Sequence, residues 1–199
     1  ILDRGAYLAK KEKVTFDAPG FLPPLPKDAP KNRLGLAQWL FRPEHPLTAR
    51  VQVNRQWQEL FGKGIVRTSE DLGVQSDRPT HQDLLDWLSV EFRESGWKIK
   101  ALQKIILTSK TYRQSSHVTK EQLQKDPENK LLSHAPRLRL PSMVLRDVAL
   151  RSSGLLNAQV GGVPVYPYLP DSPWESLAIT KERDVTYPQS KGADLYRRS

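Results

Sequence analysis

The stretch HPLTARVQVNRQWQELFGKGIVRTSEDLGVQSDRPTHQDLLDWL, residues 45–88, decides the fold class. Val53, Trp57, Leu60 and Phe61 fall at helical spacing in its first half, and Leu84, Leu85 and Leu88 repeat the pattern in its second, with Phe92 just beyond. Thr48 is placed to cap the first helix and Gly62 to stop it. Thr80 with Asp83 three residues later has the capping-box pattern for the second, which Gly96 ends. Between the helices runs a charged loop, Arg67-Thr68-Ser69-Glu70-Asp71.

The helical rhythm extends outward on both sides. Leu34, Leu36, Ala37 and Leu40 predict a short apolar face on a helix that begins after Asn32 and must end before Pro43. Ile99, Leu102, Ile105, Ile106 and Tyr112 predict another helix, and Asp126-Pro127 is a further start signal. Pro141 opens the last clear helix, with Val144, Leu145 and Val148 inward and Gly154 at its end. One core of Trp57, Leu60, Phe61, Leu85, Leu88, Phe92, Leu102, Ile106 and Val148 is expected.

The ends read differently. Residues 1–16 alternate weakly through Tyr7, Leu8, Val14 and Phe16, the pattern of a short hairpin or edge strand. Five prolines crowd residues 18–30, which favours an extended arm. That arm is either a strap held on the core by Phe21, Leu22 and Leu25 or a recognition peptide for a proline-binding module. From Gly161 the run GGVPVYPYLPDSPW excludes a continuous helix. The expected fold is mainly α: an irregular multi-helix bundle with extended, proline-rich N- and C-terminal segments and a short β-hairpin at most. The expected organisation is an arm over 1–31, a helical core domain over 32–160, and a weakly structured segment over 161–199.

Composition removes several classes. With no cysteine, disulfides, thiolate chemistry, cysteine-ligated zinc and covalent c-type haem attachment are excluded within this segment. Nothing approaches the roughly 20 apolar residues of a membrane span. The net charge of +9 raises the question of an acidic partner, but the excess over residues 1–46, 47–116, 117–160 and 161–199 is +3, +3, +3 and 0. Charge spread so thinly does not favour nucleic acid. The chain lacks an initiator Met and closes on Tyr196-Arg197-Arg198-Ser199 without a terminating motif, so it reads as a fragment of a longer protein.

Taken in order, NRLGLAQWL (32–40), the stretch 45–73, PTHQDLLDWLSVEF (79–92), SGWKIKALQKIILTSKTYRQSS (95–116), DPENKLL (126–132) and RLRLPSMVLRDVALRSSGLL (137–156) resemble one family. It is the planctomycete-type domain of unknown function, family 1553, usually found C-terminal to cytochrome-c-like modules in large exported proteins. The resemblance implies a parent protein at the periplasm or cell surface, neighbouring domains of that protein as partners, and any haem in a neighbouring domain with no cofactor in this segment. It supplies no activity.

The constellations that could carry chemistry each have two readings. Asn54 and Arg55 sit within a turn of Trp57, and Glu70-Asp71 follow in the loop. As a site, Glu70, Asp71 and His81 are acid and base while Arg55 or Arg50 binds an anionic group; as a lock, the arginines satisfy the carboxylates and fix the helices. Adjacent carboxylates diverge on most backbones, which favours the lock. Arg137, Arg139 and Arg146 could converge on phosphate, sulfate or a uronic acid, or Arg146 could pair with Asp147 or with Glu70 or Asp71. Tyr166, Tyr168 and Trp174 could stack on sugars or pack on the bundle. His45, His117 and His134 lack metal-ligand spacing, and no metal site is expected. The leading functional reading is a non-catalytic structural or interaction module. The alternatives are an enzyme domain acting on a glycan or sulfated polymer and, third, a binder of anionic polymers or nucleic acid; polysaccharide is a candidate partner.

Overall fold

The computed structural model describes residues 3–5, 7–168 and 188–198. Trp174 lies outside the described residues. Seven α-helices occur among them: α1 (Arg33–Leu40), α2 (Thr48–Phe61), α3 (Gln82–Glu94), α4 (Ile99–Thr108), α5 (Lys110–Arg113), α6 (Lys120–Lys125) and α7 (Ser142–Ser152). No named strand occurs among the described residues; residues 1–16 contribute a 3-10 turn at Asp3–Gly5. The fold is mainly α, as the periodicity predicts. The chain divides into two compact units, Ile1–Leu138 and Arg139–Ser199.

The core of the first unit follows the apolar stripes. Val53, Trp57 and Phe61 of α2, Leu85, Leu88 and Phe92 of α3, and Leu102 and Ile106 of α4 are all buried. Gly62 ends α2 in the left-handed region at φ 78°, which costs glycine nothing. The Trp57 and Phe61 rings, four residues apart on one face, stack at 4.1 Å. Two further core residues, Ile65 and Val66, come from the loop after α2, outside any regular element.

Five expectations need correction. Val148 is 50 % exposed and absent from the core, and α7 buries none of its residues. On α1 the buried residues are Gly35 and Trp39, while Leu34 and Leu36 are exposed. The reason is the proline arm: Trp39 Nε1 donates to the Pro23 carbonyl at 2.8 Å, and a Cβ on Gly35 would overlap the Pro30 carbonyl. The arm is a strap, but Phe21 is exposed and takes no part in holding it. Thr80 does not cap α3; its N–H and hydroxyl both donate to the Ile65 carbonyl, at 2.9 and 3.3 Å. Asp126-Pro127 starts no helix, because the buried Asp126 carboxylate accepts the N–H groups of Lys130 and Leu131 at 2.8 and 2.7 Å and closes a turn instead.

The start of α2 is capped from upstream. Leu47 occupies the cap position without a side-chain bond. His45 Nδ1 takes the role, accepting the Thr48 hydroxyl at 3.0 Å, with the Thr48 and Leu47 N–H groups at 3.3 and 3.4 Å. Burial pushes the His45 pKa below its ordinary 6.5, and the two main-chain N–H groups facing Nδ1 make that nitrogen the acceptor. Trp39 packs against it edge-on at 4.5 Å.

Candidate functional site

The polar centre of the first unit is Asn54, fully buried on α2. Its Nδ2 donates to the Val66 carbonyl at 2.9 Å and its Oδ1 accepts the Val66 N–H at 2.9 Å, so one side chain satisfies both main-chain groups of a buried residue. Nδ2 also reaches Ser69 Oγ at 3.2 Å, and Ser69 donates to Gln58 Oε1. Gly64 passes so close that a Cβ there would collide with the Val66 carbonyl and both amide atoms of Asn54. The clamp turns the loop back onto α2 and delivers Ile65 and Val66 to the core.

The charged residues singled out from the sequence do not build the expected lock. Arg55 Nη2 lies 3.3 Å from Glu70 Oε2, but the Glu70 side chain is 87 % exposed and the pair is solvated. Asp71 accepts the Gly73 N–H at 2.7 Å through Oδ1 and turns the loop. Arg50 engages neither carboxylate of the loop: its Nε donates to Asp86 Oδ1 at 2.6 Å, and Gln82 donates to Oδ2 at 2.8 Å. Arg50 and Gln82 together hold the Asp86 carboxyl below its ordinary 3.8. His81 Nδ1 pairs locally with Thr80 Oγ1 at 3.1 Å. Among the described residues no three of His, Asp and Glu gather closely enough to hold a metal ion.

Of the three arginines read as an anion cluster, Arg146 is occupied. Its Nη1 and Nη2 donate to the carbonyls of Arg197 and Leu195, each at 2.7 Å. Arg139 is exposed at the start of the second unit. Arg137 belongs to the first unit and meets different cations.

It lines a cavity of about 260 Å3 with Lys63, Arg67, Lys130 and Glu128. Glu128 is shared, with Arg67 Nη1 at 2.6 Å and Lys130 Nζ at 2.9 Å from its Oε2, and these two partners, Lys130 foremost, hold its carboxyl below the ordinary 4.5. Arg137 Nε donates to the Ser116 carbonyl at 3.2 Å, which orients the guanidinium. Trp57, Phe61, Leu132 and Leu138 supply apolar lining. Gly62 lets Leu138 close the wall, since a Cβ at that position would overlap the leucine methyl. Sequence reasoning singled out Arg137 but missed Lys63 and Lys130 as its neighbours: they lie in separate loops and no local spacing joins them.

A second, larger recess of about 780 Å3 is mainly aromatic and aliphatic, lined by Trp39, Phe41, Phe92, Trp97 and Leu22 with Arg55 among its polar residues. No helix among the described residues is long and apolar enough to cross a membrane.

No curated protein and no solved structure matches the chain. One family model does, over residues 32–199, and it spans the strap-bearing helix α1, the Asn54 clamp, the cationic cavity and the Arg146 tether. The chain belongs to that family, described as "Protein of unknown function (DUF1553)".

Proposed function

We propose that the chain is a non-catalytic structural or interaction module of a large exported protein, at the periplasm or cell surface, with neighbouring domains of the same protein as its partners. The observation that carries this reading is where the polar side chains spend their bonds. Asn54 holds the Val66 main chain, Asp126 two loop amides, and Arg146 two carbonyls. These are the bonds of a scaffold that fixes loops. The groups best suited to acid and base work are each used locally: Glu70 beside Arg55, Asp71 on the Gly73 amide, His81 on Thr80. The exported setting rests on the family resemblance. Any haem of the parent protein belongs, on this proposal, to a neighbouring domain, consistent with a chain that has no cysteine for its covalent attachment.

The test uses the 199-residue chain and the flanking domains of its parent protein, produced separately and titrated by calorimetry. Saturable association is the expected result. Hydrolysis of plain or sulfated glycans by the chain, abolished in Glu70→Gln, Asp71→Asn or His81→Gln with folding intact, would replace this reading with an enzymatic one.

A further inference from the structure

The cationic cavity of the first unit has a charge imbalance that its own contacts do not resolve. Lys63, Arg67, Lys130 and Arg137 line it against the single carboxylate of Glu128. The nearby Asp126 is buried and its oxygens already accept two main-chain N–H groups. Glu128 satisfies Arg67 and Lys130, whereas Lys63 and Arg137 have no acidic partner among the described residues. With Nε anchored on Ser116, the two terminal nitrogens of Arg137 are left to act as donors, in the fork that matches two oxygens of one anion.

We propose that this cavity binds a small organic anion: a compact body with an apolar face, carrying one phosphate, sulfate or carboxylate group held by Lys63 and Arg137. The apolar face rests on the lining of Trp57, Phe61, Leu132 and Leu138. Glu128 is the gatekeeper. It holds Arg67 and Lys130 beside the cavity and repels any anion that enters, so affinity rests on Lys63 and Arg137. The site goes beyond the scaffold reading and is independent of it, because a scaffold needs no ligand here.

Phenyl phosphate, phenyl sulfate and benzoate serve as probes, with inorganic phosphate as the ring-less control, titrated into the chain at low ionic strength by calorimetry. At least one aromatic probe binds, and the preferred one identifies the anionic group. Phenyl phosphate exceeds inorganic phosphate by about tenfold or more if the apolar lining contributes. Lys63→Ala and Arg137→Ala each weaken the preferred probe about tenfold or more with unchanged melting temperature, and Glu128→Gln strengthens it. Arg137→Lys, which keeps the charge but loses the fork, falls between and guards against a folding defect in the alanine variant. Lys100→Ala with Lys104→Ala removes two positive charges, more than either cavity variant, from exposed positions of α4 and leaves affinity unchanged. The proposal fails if no probe binds at about 10 mM, if the α4 pair weakens binding as much as the cavity variants, or if inorganic phosphate binds as well as every aromatic probe.

Discussion

Helices α2 and α7 carry similar apolar stripes, and they meet different fates. On α2, Val53, Trp57 and Phe61 are buried against α3 and α4. On α7, Val144, Leu145 and Val148 are all substantially exposed. The first unit is organised around apolar burial. What is described of the second is organised around polar tethers: Arg146 on the carbonyls of Leu195 and Arg197, the Asn157 N–H on the Tyr196 carbonyl at 3.0 Å, and Arg197 on Gly161 and Asp194. Periodicity therefore marks which face of a helix is apolar. Whether that face is covered depends on a partner, and α2 gains part of its own because Asn54 folds the following loop back over it.

The comparison can be broken most directly by truncation. Trp57→Ala should cost about 3–5 kcal/mol in chemical denaturation, whereas Val148→Ala, already half exposed, should cost less than about 1 kcal/mol. Equal losses would show that the two stripes are not distinct. Asn54→Ala comes next, at roughly 2–4 kcal/mol, because it strands the buried N–H and carbonyl of Val66 together. Combining it with Gly64→Ala should cost less than the sum of the two, since the added Cβ attacks the same clamp; full additivity would place the glycine outside it.

Arg146→Ala tests the polar half of the comparison and should cost roughly 1–3 kcal/mol. Hydrogen exchange should quicken at the amide of Asn157 while the amides of α2 keep their protection; uniform acceleration would mean the tether supports more than its own unit.

A smaller effect is expected from pH. His45 has a folded-state pKa below the ordinary 6.5, so the unfolded chain binds its proton more readily. The stability this ring contributes is complete above pH 6.5 and is lost as pH falls through the lowered folded value. Denaturation profiles of His45→Gln should lack that part of the slope, and an unchanged slope would show that burial does not lower the ring's proton affinity. The smallest effects belong to Glu70→Gln and Asp71→Asn, where unfolding should move by no more than about 0.5 and 1 kcal/mol respectively. A larger loss at Glu70 would restore the buried lock.

Much of the helical frame was legible from apolar stripes and glycine stops: Gly62 turns left-handed, and Leu85, Leu88 and Phe92 are buried together, although neither Thr48 nor Thr80 caps its helix. What failed depended on distant chain. Trp39 is buried rather than Leu36 because an acceptor sixteen residues earlier claims its indole N–H. Thr80 resembles a cap locally, but the Ile65 carbonyl recruits it from across the loop. The sequence also singled out Asn54 and Arg137 while leaving their partners hidden, since Val66, Lys63 and Lys130 reach them only through tertiary structure. Among the described residues a complete capping box, Thr119 with Gln122, stands at a helix too short to carry an apolar stripe.

The family match begins at Asn32, yet the strap that completes α1 lies before it. In binding terms residues 19–30 are an intramolecular ligand of the helix, presented by a short tether at an effective concentration on the order of millimolar. A version of the domain trimmed to the matched residues would lose that advantage, baring the Gly35 groove and leaving the Trp39 indole to find its acceptor in water. The same peptide supplied in trans should then bind only at concentrations approaching that of the lost tether.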